Sequence, residues 1–120
     1  MAVRAIRGAI QLDIDERSHL LKSTAELVTK VLHANNLSQA DLISIIFTAT
    51  PDVTSEFPAL AARELGLGDV PLMCSVEMDV SGAMPRVIRL MMHAETNLNR
   101  SEIQHIYLRG AANLRTDLAQ

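Results

Sequence analysis

Tryptophan is absent from this sequence, and aromatic side chains as a class are scarce: Phe47, Phe57 and Tyr107 are the whole inventory. A core must therefore be built from Leu, Ile, Val, Ala and Met, and there is no row of aromatic platforms on which single-stranded nucleic acid could stack. Lysine is nearly missing too, Lys22 and Lys30 standing against nine arginines, and the formal net charge is −3. Without a basic stripe to displace counterions, a general nucleic-acid binder is excluded. The one cysteine, Cys74, leaves no internal disulfide and no thiolate metal cluster. His19, His33, His93 and His105 lack ligand spacing, so no metal is expected. No apolar run reaches membrane-spanning length, the first residues carry no signal-peptide core, and neither a glycine-rich phosphate loop nor a nucleophile motif occurs. The expectation is a cytoplasmic protein with no membrane or nucleic-acid partner.

What is present is aliphatic. Hydrophobic residues make up 48% of 120, enough for the core of one ordinary domain spanning 1–120. Residues 3–12 alternate as a strand. Val3, Ala5, Arg7, Ala9 and Gln11 share one face, Arg4, Ile6, Gly8, Ile10 and Leu12 the other, and Gly8 permits a close approach. Asp13 and Asp15 supply caps for a helix in which Leu20, Leu21, Leu27, Val28, Val31 and Leu32 recur at helical spacing until Asn35-Asn36. After a capped turn at 38–41, residues 42–50 form a nearly continuous apolar run, the pattern of a strand covered on both faces. Pro51 stops it, and Phe57-Pro58 opens a second helix closed by Gly66 and Gly68.

Residues 71–76, 86–95 and 105–108 read as three further strands, with a turn at Gly82 and one capped turn at 101–104. The order predicts an α/β (α+β) fold, a single domain with a mixed five-stranded sheet and its helices on one face. Two helices cannot cover both faces of such a sheet, and a second subunit is the economical cover for the other.

Chemistry has few candidates. Arg7 lies in the first strand, and Arg89 interrupts the apolar run Val87-Ile88-Arg89-Leu90-Met91-Met92. A guanidinium there must reach solvent or meet a carboxylate. Glu77 and Glu95 are available partners for an ordinary ion pair; a ligand's carboxylate is the alternative. Codon usage alone accounts for a bias toward arginine, yet arginine is also the residue suited to bidentate grip on carboxylates. Tyr107 reads equally as a core tyrosine with its hydroxyl at the rim. Phe57 and Cys74 read as ordinary core residues. Physics alone stops at a small α/β domain, with an anion-binding oligomer and ordinary ion pairs both open for its arginines.

Resemblance carries the reading further. The stretches Arg4-Ala5-Ile6-Arg7-Gly8-Ala9, Ala49-Thr50-Pro51-Asp52, Phe57-Pro58-Ala59, Ala62-Arg63-Glu64-Leu65, Glu77-Met78-Asp79-Val80, Ile88-Arg89-Leu90-Met91-Met92 and His105-Ile106-Tyr107-Leu108 follow one another in order. Together they resemble the monofunctional chorismate mutases of the Bacillus type, over nearly the whole chain. The resemblance implies a homotrimeric pseudo-α/β-barrel with active sites between subunits. It implies conversion of chorismate to prephenate in phenylalanine and tyrosine biosynthesis, the shikimate route, without a cofactor. By matching position, Arg7 and Tyr107 hold the carboxylate of the enolpyruvyl side chain. Arg89 meets the ether oxygen, and Glu77, with Cys74 close by, meets the ring hydroxyl. Phe57, Ala59, Arg63, Leu72, Met73 and Cys74 form a wall from the neighbouring subunit, and Leu114 and Arg115 close the mouth. Members of the family carry lysine where this chain has Leu60, which leaves Arg63 and Arg115 on the ring carboxylate's side.

The implied reaction is an intramolecular [3,3]-sigmatropic rearrangement, which needs no nucleophile, proton transfer, metal or redox partner. The rival reading of a different class is a non-catalytic trimeric module binding anionic metabolites. Such a module would keep the trimer core and lose the arginine at the ether oxygen. A trimeric enamine deaminase of similar shape is a second rival, which the ordered motifs do not suggest.

Overall fold

In the computed structural model, which describes residues 1–115, five strands form one mixed sheet. They are β1 (Ala2–Gln11), β2 (Leu42–Ala49), β3 (Leu72–Val76), β4 (Val87–Thr96) and β5 (Ile106–Leu108), in the order β3-β2-β4-β1-β5. The long strands β1 and β4 pair antiparallel at the centre. β2 joins β4 antiparallel, and the short edge strands β3 and β5 join β2 and β1 in parallel. Helices α1 (Arg17–Ala34) and α2 (Pro58–Ala62) supply the cover for one face.

Strand alternation decides which residues meet the helices. Ile6 and Ile10 of β1, Ile45 and Phe47 of β2, and Ile88, Leu90 and Met92 of β4 are buried against Leu20, Leu27, Val28 and Val31 of α1. Gly8 lies on the same face. A Cβ there would stand 3.2 Å from Leu27 Cδ1 and from Leu90 Cδ1, which is the close approach expected of it. Among the described residues the opposite face is covered only at one end. There a tight turn at Arg109–Asn113 lays Ala111 and Leu114 over Ala9, Val87 and Tyr107, with Met84 beside them. Elsewhere, among the described residues, it is open: Ile46 of β2 is exposed there, so the apolar run of β2 is buried on one side only.

Three local expectations are corrected. Glu16, not Asp13 or Asp15, caps α1, its carboxylate accepting from the Ser18 and His19 amides. Asp15 is drawn away to the loop before α2, where it accepts from the Thr54 and Ser55 amides. The second helix is shorter than its pattern suggested. It ends as α2 at Ala62 and passes into one wide turn, Arg63–Leu67, where Gly66 takes φ 93°. The capped turn before β5 sits at Arg100–Glu102, one residue earlier than expected, because Asn99 and Glu102 form the reciprocal cap.

Candidate active site

The open face carries a row of side chains set by register. Thr48 of β2 lies opposite Arg89 of β4, Arg89 opposite Ala9 of β1, and Ala9 opposite Tyr107 of β5. In the next row Ile46 lies opposite Met91, and Met91 opposite Arg7. Arg7 and Arg89 are thus diagonal neighbours, close enough for their side chains to share one ligand. Ala9, between Arg89 and Tyr107, is buried under Ala111 and Leu114, so the open space lies beside it, at the Arg7 end of the row. The result is a concavity of about 300 Å3 lined by Arg7, Thr48, Arg89, Tyr107 and Arg115, with Ile46 and Met91 as its apolar floor.

Glu77 reaches this face by the same rule. Its amide continues the β3 ladder, donating to the Ala49 carbonyl at 2.9 Å, and its position two residues beyond Ser75 puts its side chain on the open side. Its Oε2 accepts from Thr48 Oγ1 at 2.6 Å and from Arg89 Nε at 3.0 Å. The Glu77 side chain is 16% exposed and that of Arg89 41%, so the pair is half-sunk, anchored at its inner end and open at its outer one. The terminal nitrogens of Arg89, the whole Arg7 guanidinium and the Tyr107 hydroxyl have no hydrogen-bond partner among the described residues. Among the described residues, the guanidiniums of Arg7, Arg89 and Arg115 line the concavity, and the Glu77 carboxylate is bonded to that of Arg89; guanidiniums are suited to anionic groups.

His105 completes the Arg7 end. Its Nδ1 accepts the Arg7 backbone N–H at 2.9 Å. Desolvation, followed by the charges of Arg7 and Arg115, pushes its pKa below the usual 6.5, so the ring is neutral at pH 7 and free to accept. Neither Thr48 nor His105 was among the expected site residues. Their only sequence signal was position: Thr48 shares the parity of Ile46 on β2, and His105 immediately precedes β5.

The remaining expected residues lie elsewhere in the same chain. Cys74 and Leu72 alternate onto the helix side of β3, away from Arg89. Cys74 Sγ accepts the Ala59 amide at 3.3 Å. Phe57, 67% exposed, and Cys74 line a second recess of about 360 Å3 at the β3 edge, walled by the loop after β2. Met73 is on the open face and exposed, and Arg63, also exposed, has no ion pair among the described residues. One chain therefore presents two separate half-surfaces, one lined by arginines and one that mixes Phe57, Pro58 and Val76 with Thr54, Ser55 and Glu56. Among the described residues no three His, Cys, Asp or Glu side chains converge as metal ligands, and no helix is long and apolar enough to cross a membrane.

Comparisons with known proteins agree on one family. The sequence model for chorismate mutase type I matches residues 3–118. The chain is 44% identical to Chorismate mutase AroH of Thermus thermophilus, over 97% of this chain and 96% of that protein. It is 38% identical to Chorismate mutase AroH of Bacillus subtilis (strain 168), over 99% and 94% respectively. A solved structure of a chorismate mutase from Clostridium thermocellum matches its fold with a TM-score of 0.90 at 40% identity, covering 92% of this chain and 98% of that one.

Proposed function

The chain belongs to the chorismate mutase type I family, and from that premise we propose how its residues isomerise chorismate to prephenate. The enzyme is an isomerase of aromatic amino acid biosynthesis. The observation that carries the assignment of its site is the concavity between Arg7, Arg89 and Tyr107, whose outward donors have no hydrogen-bond partner among the described residues. Chorismate is a dianion with a flexible enolpyruvyl side chain, and two guanidiniums and a phenol at one end of the hollow suit a carboxylate. Arg7 and Tyr107 bind it, holding the side chain over the ring in a compact conformation. That is a saving in orientation made before the reaction begins.

As the ether C–O bond breaks ahead of C–C bond formation, negative charge gathers on the ether oxygen. The free terminal nitrogens of Arg89 stabilise that charge more than they stabilise the ground state, which is the condition for accelerating the step. Glu77 accepts the ring hydroxyl and faces the part of the ring where positive charge develops. Electrons move only within the substrate, so no group of the protein changes covalency.

The second half-surface completes the site in a homotrimer. The open face of the sheet, with Ile46, Met73 and Val3 exposed, docks against the β3 edge of a neighbouring subunit. Phe57, Ala59, Arg63, Leu72, Met73 and Cys74 of that neighbour then wall the cationic concavity, while Leu114 and Arg115 close it. This docking accounts for the separation of the two half-surfaces within one chain. It also accounts for the apolar run of β2, which has a partner on one side only. The free thiol of Cys74 fits a cytoplasmic location. The activity is tested by incubating purified protein with chorismate and following loss of its ultraviolet absorbance alongside formation of prephenate. Absorbance loss without prephenate would overturn the assignment.

A further inference from the structure

Glu77 is held by one oxygen only. Oε2 accepts both the Thr48 hydroxyl and the Arg89 Nε–H, while Oε1 has no hydrogen-bond partner among the described residues. A carboxylate and a guanidinium left to themselves favour two parallel bonds, with both oxygens facing two nitrogens of the planar fork. Here the fork is met at Nε alone. The group in a position to impose this is Thr48, which register sets directly opposite Arg89 and whose short 2.6 Å bond draws Oε2 toward β2. Its branched Cβ on a strand restricts the hydroxyl to few directions, so the donor is stiff.

We propose that Thr48 is a positioning residue for catalysis: by donating to Oε2 it keeps Glu77 singly bonded to Arg89 Nε. Both terminal nitrogens of Arg89 and the second oxygen of Glu77 then remain available to the substrate. Without the hydroxyl, Glu77 rotates into a two-bond pair and consumes one of the nitrogens needed at the ether oxygen. The inference rests on the roles given above to Arg89 and Glu77.

The experiment compares Thr48→Val, which keeps the shape and removes the donor, with Thr48→Ser, which keeps the donor, and with Glu77→Ala and the Thr48→Val/Glu77→Ala double variant. Thr48→Val should lower kcat by about tenfold or more, the usual scale for a hydrogen bond to a charged group, with KM changing by about threefold or less. Thr48→Ser should restore most of the rate. In the double variant the Thr48 change should cost nothing further, because the residue acts through Glu77. In the ligand-free Thr48→Val protein, 15N spectra should show slowed rotation of the Arg89 terminal NH2 groups, a signature that loss of stability alone does not produce. A wild-type kcat in Thr48→Val beside an impaired Glu77→Ala would overturn the proposal and leave the site reading intact. Losses that multiply in the double variant would also overturn it, by placing Thr48 in direct contact with substrate. Wild-type activity in Glu77→Ala would sink the reading of Glu77 itself, and this inference with it.

Discussion

The backbone N–H of Arg7 donates to Nδ1 of His105 at 2.9 Å, a contact between residues 98 positions apart. The parallel β1–β5 ladder begins one step later, at Gly8 and Ile106, so the imidazole occupies the place a strand carbonyl would take. A protonated ring would turn an N–H toward the Arg7 amide and add a charge beside Arg7 and Arg115, the charged groups acting on it.

The consequence is a pH dependence of stability. Burial, then Arg7 and Arg115, hold the folded-state pKa of His105 below 6.5. Between that depressed value and 6.5 the unfolded chain binds the proton more readily than the folded one. The histidine's contribution is therefore complete above about pH 6.5 and declines as pH falls toward the folded-state pKa. Thermal unfolding between about pH 7.5 and 5.5 should show a steeper acid-side fall of Tm for wild type than for His105→Asn, whose side-chain oxygen accepts without titrating. Equal slopes would show that another group governs acid stability.

Removing the Arg89 guanidinium should damage the transition state more than the ground state. A donor to a developing oxyanion is worth about 3–4 kcal/mol, so Arg89→Ala should cut kcat by about a hundredfold or more, with a smaller change in KM. Replacement by citrulline keeps the shape and removes the charge, and should bind chorismate yet turn it over poorly. Arg7→Ala provides the contrast, since a carboxylate holder serves both states and its loss should raise KM prominently. Near-wild-type kcat in the citrulline enzyme would mean that position, not charge, is what Arg89 supplies.

Subunit sharing of the site is open to a complementation test. In the trimer proposed above, Arg63 and Arg89 reach one site from different subunits, so Arg63→Ala and Arg89→Ala should each be inactive alone and partly active when mixed. With random exchange about a quarter of the interfaces carry both intact sides. No recovery despite subunit exchange shown by mass spectrometry would place the whole site in one chain.

Gly8 tests the packing beneath the site. Two or more added carbons would push into Leu27 and Leu90, whose nearest atoms stand 3.2 Å from the first of them. Gly8→Val should lower stability by about 1–3 kcal/mol, as overpacked cores do. Urea unfolding should show a lower midpoint with an unchanged slope. A wild-type midpoint would mean that α1 yields at no cost.

Much of this was legible in local pattern. Alternation in residues 3–12 put Arg7 on the face opposite Ile6, Gly8 and Ile10, and Gly8 marked the close approach. Proline and glycine bracketed α2 and its following turn. These features depend on a strand's period of two and on φ restrictions, which neighbouring residues carry within themselves. Cys74 was expected close by Glu77, yet an odd separation along the extended chain puts the two on opposite faces, and within one chain they do not meet.

Sequence alone determined which residues could face the core and which family's motifs the chain bears. Tertiary structure decided which polar groups meet. Thr48 and Glu77 are 29 positions apart, Glu77 and Arg89 12, and Arg7 and His105 98. Asp15 leaves the helix it was expected to cap because the amides of Thr54 and Ser55 come within its reach. Each of these contacts exists only after strand register is set. Register in turn is chosen by the burial of whole faces, not by any polar side chain, so a lone threonine or histidine carries no mark of its future partner.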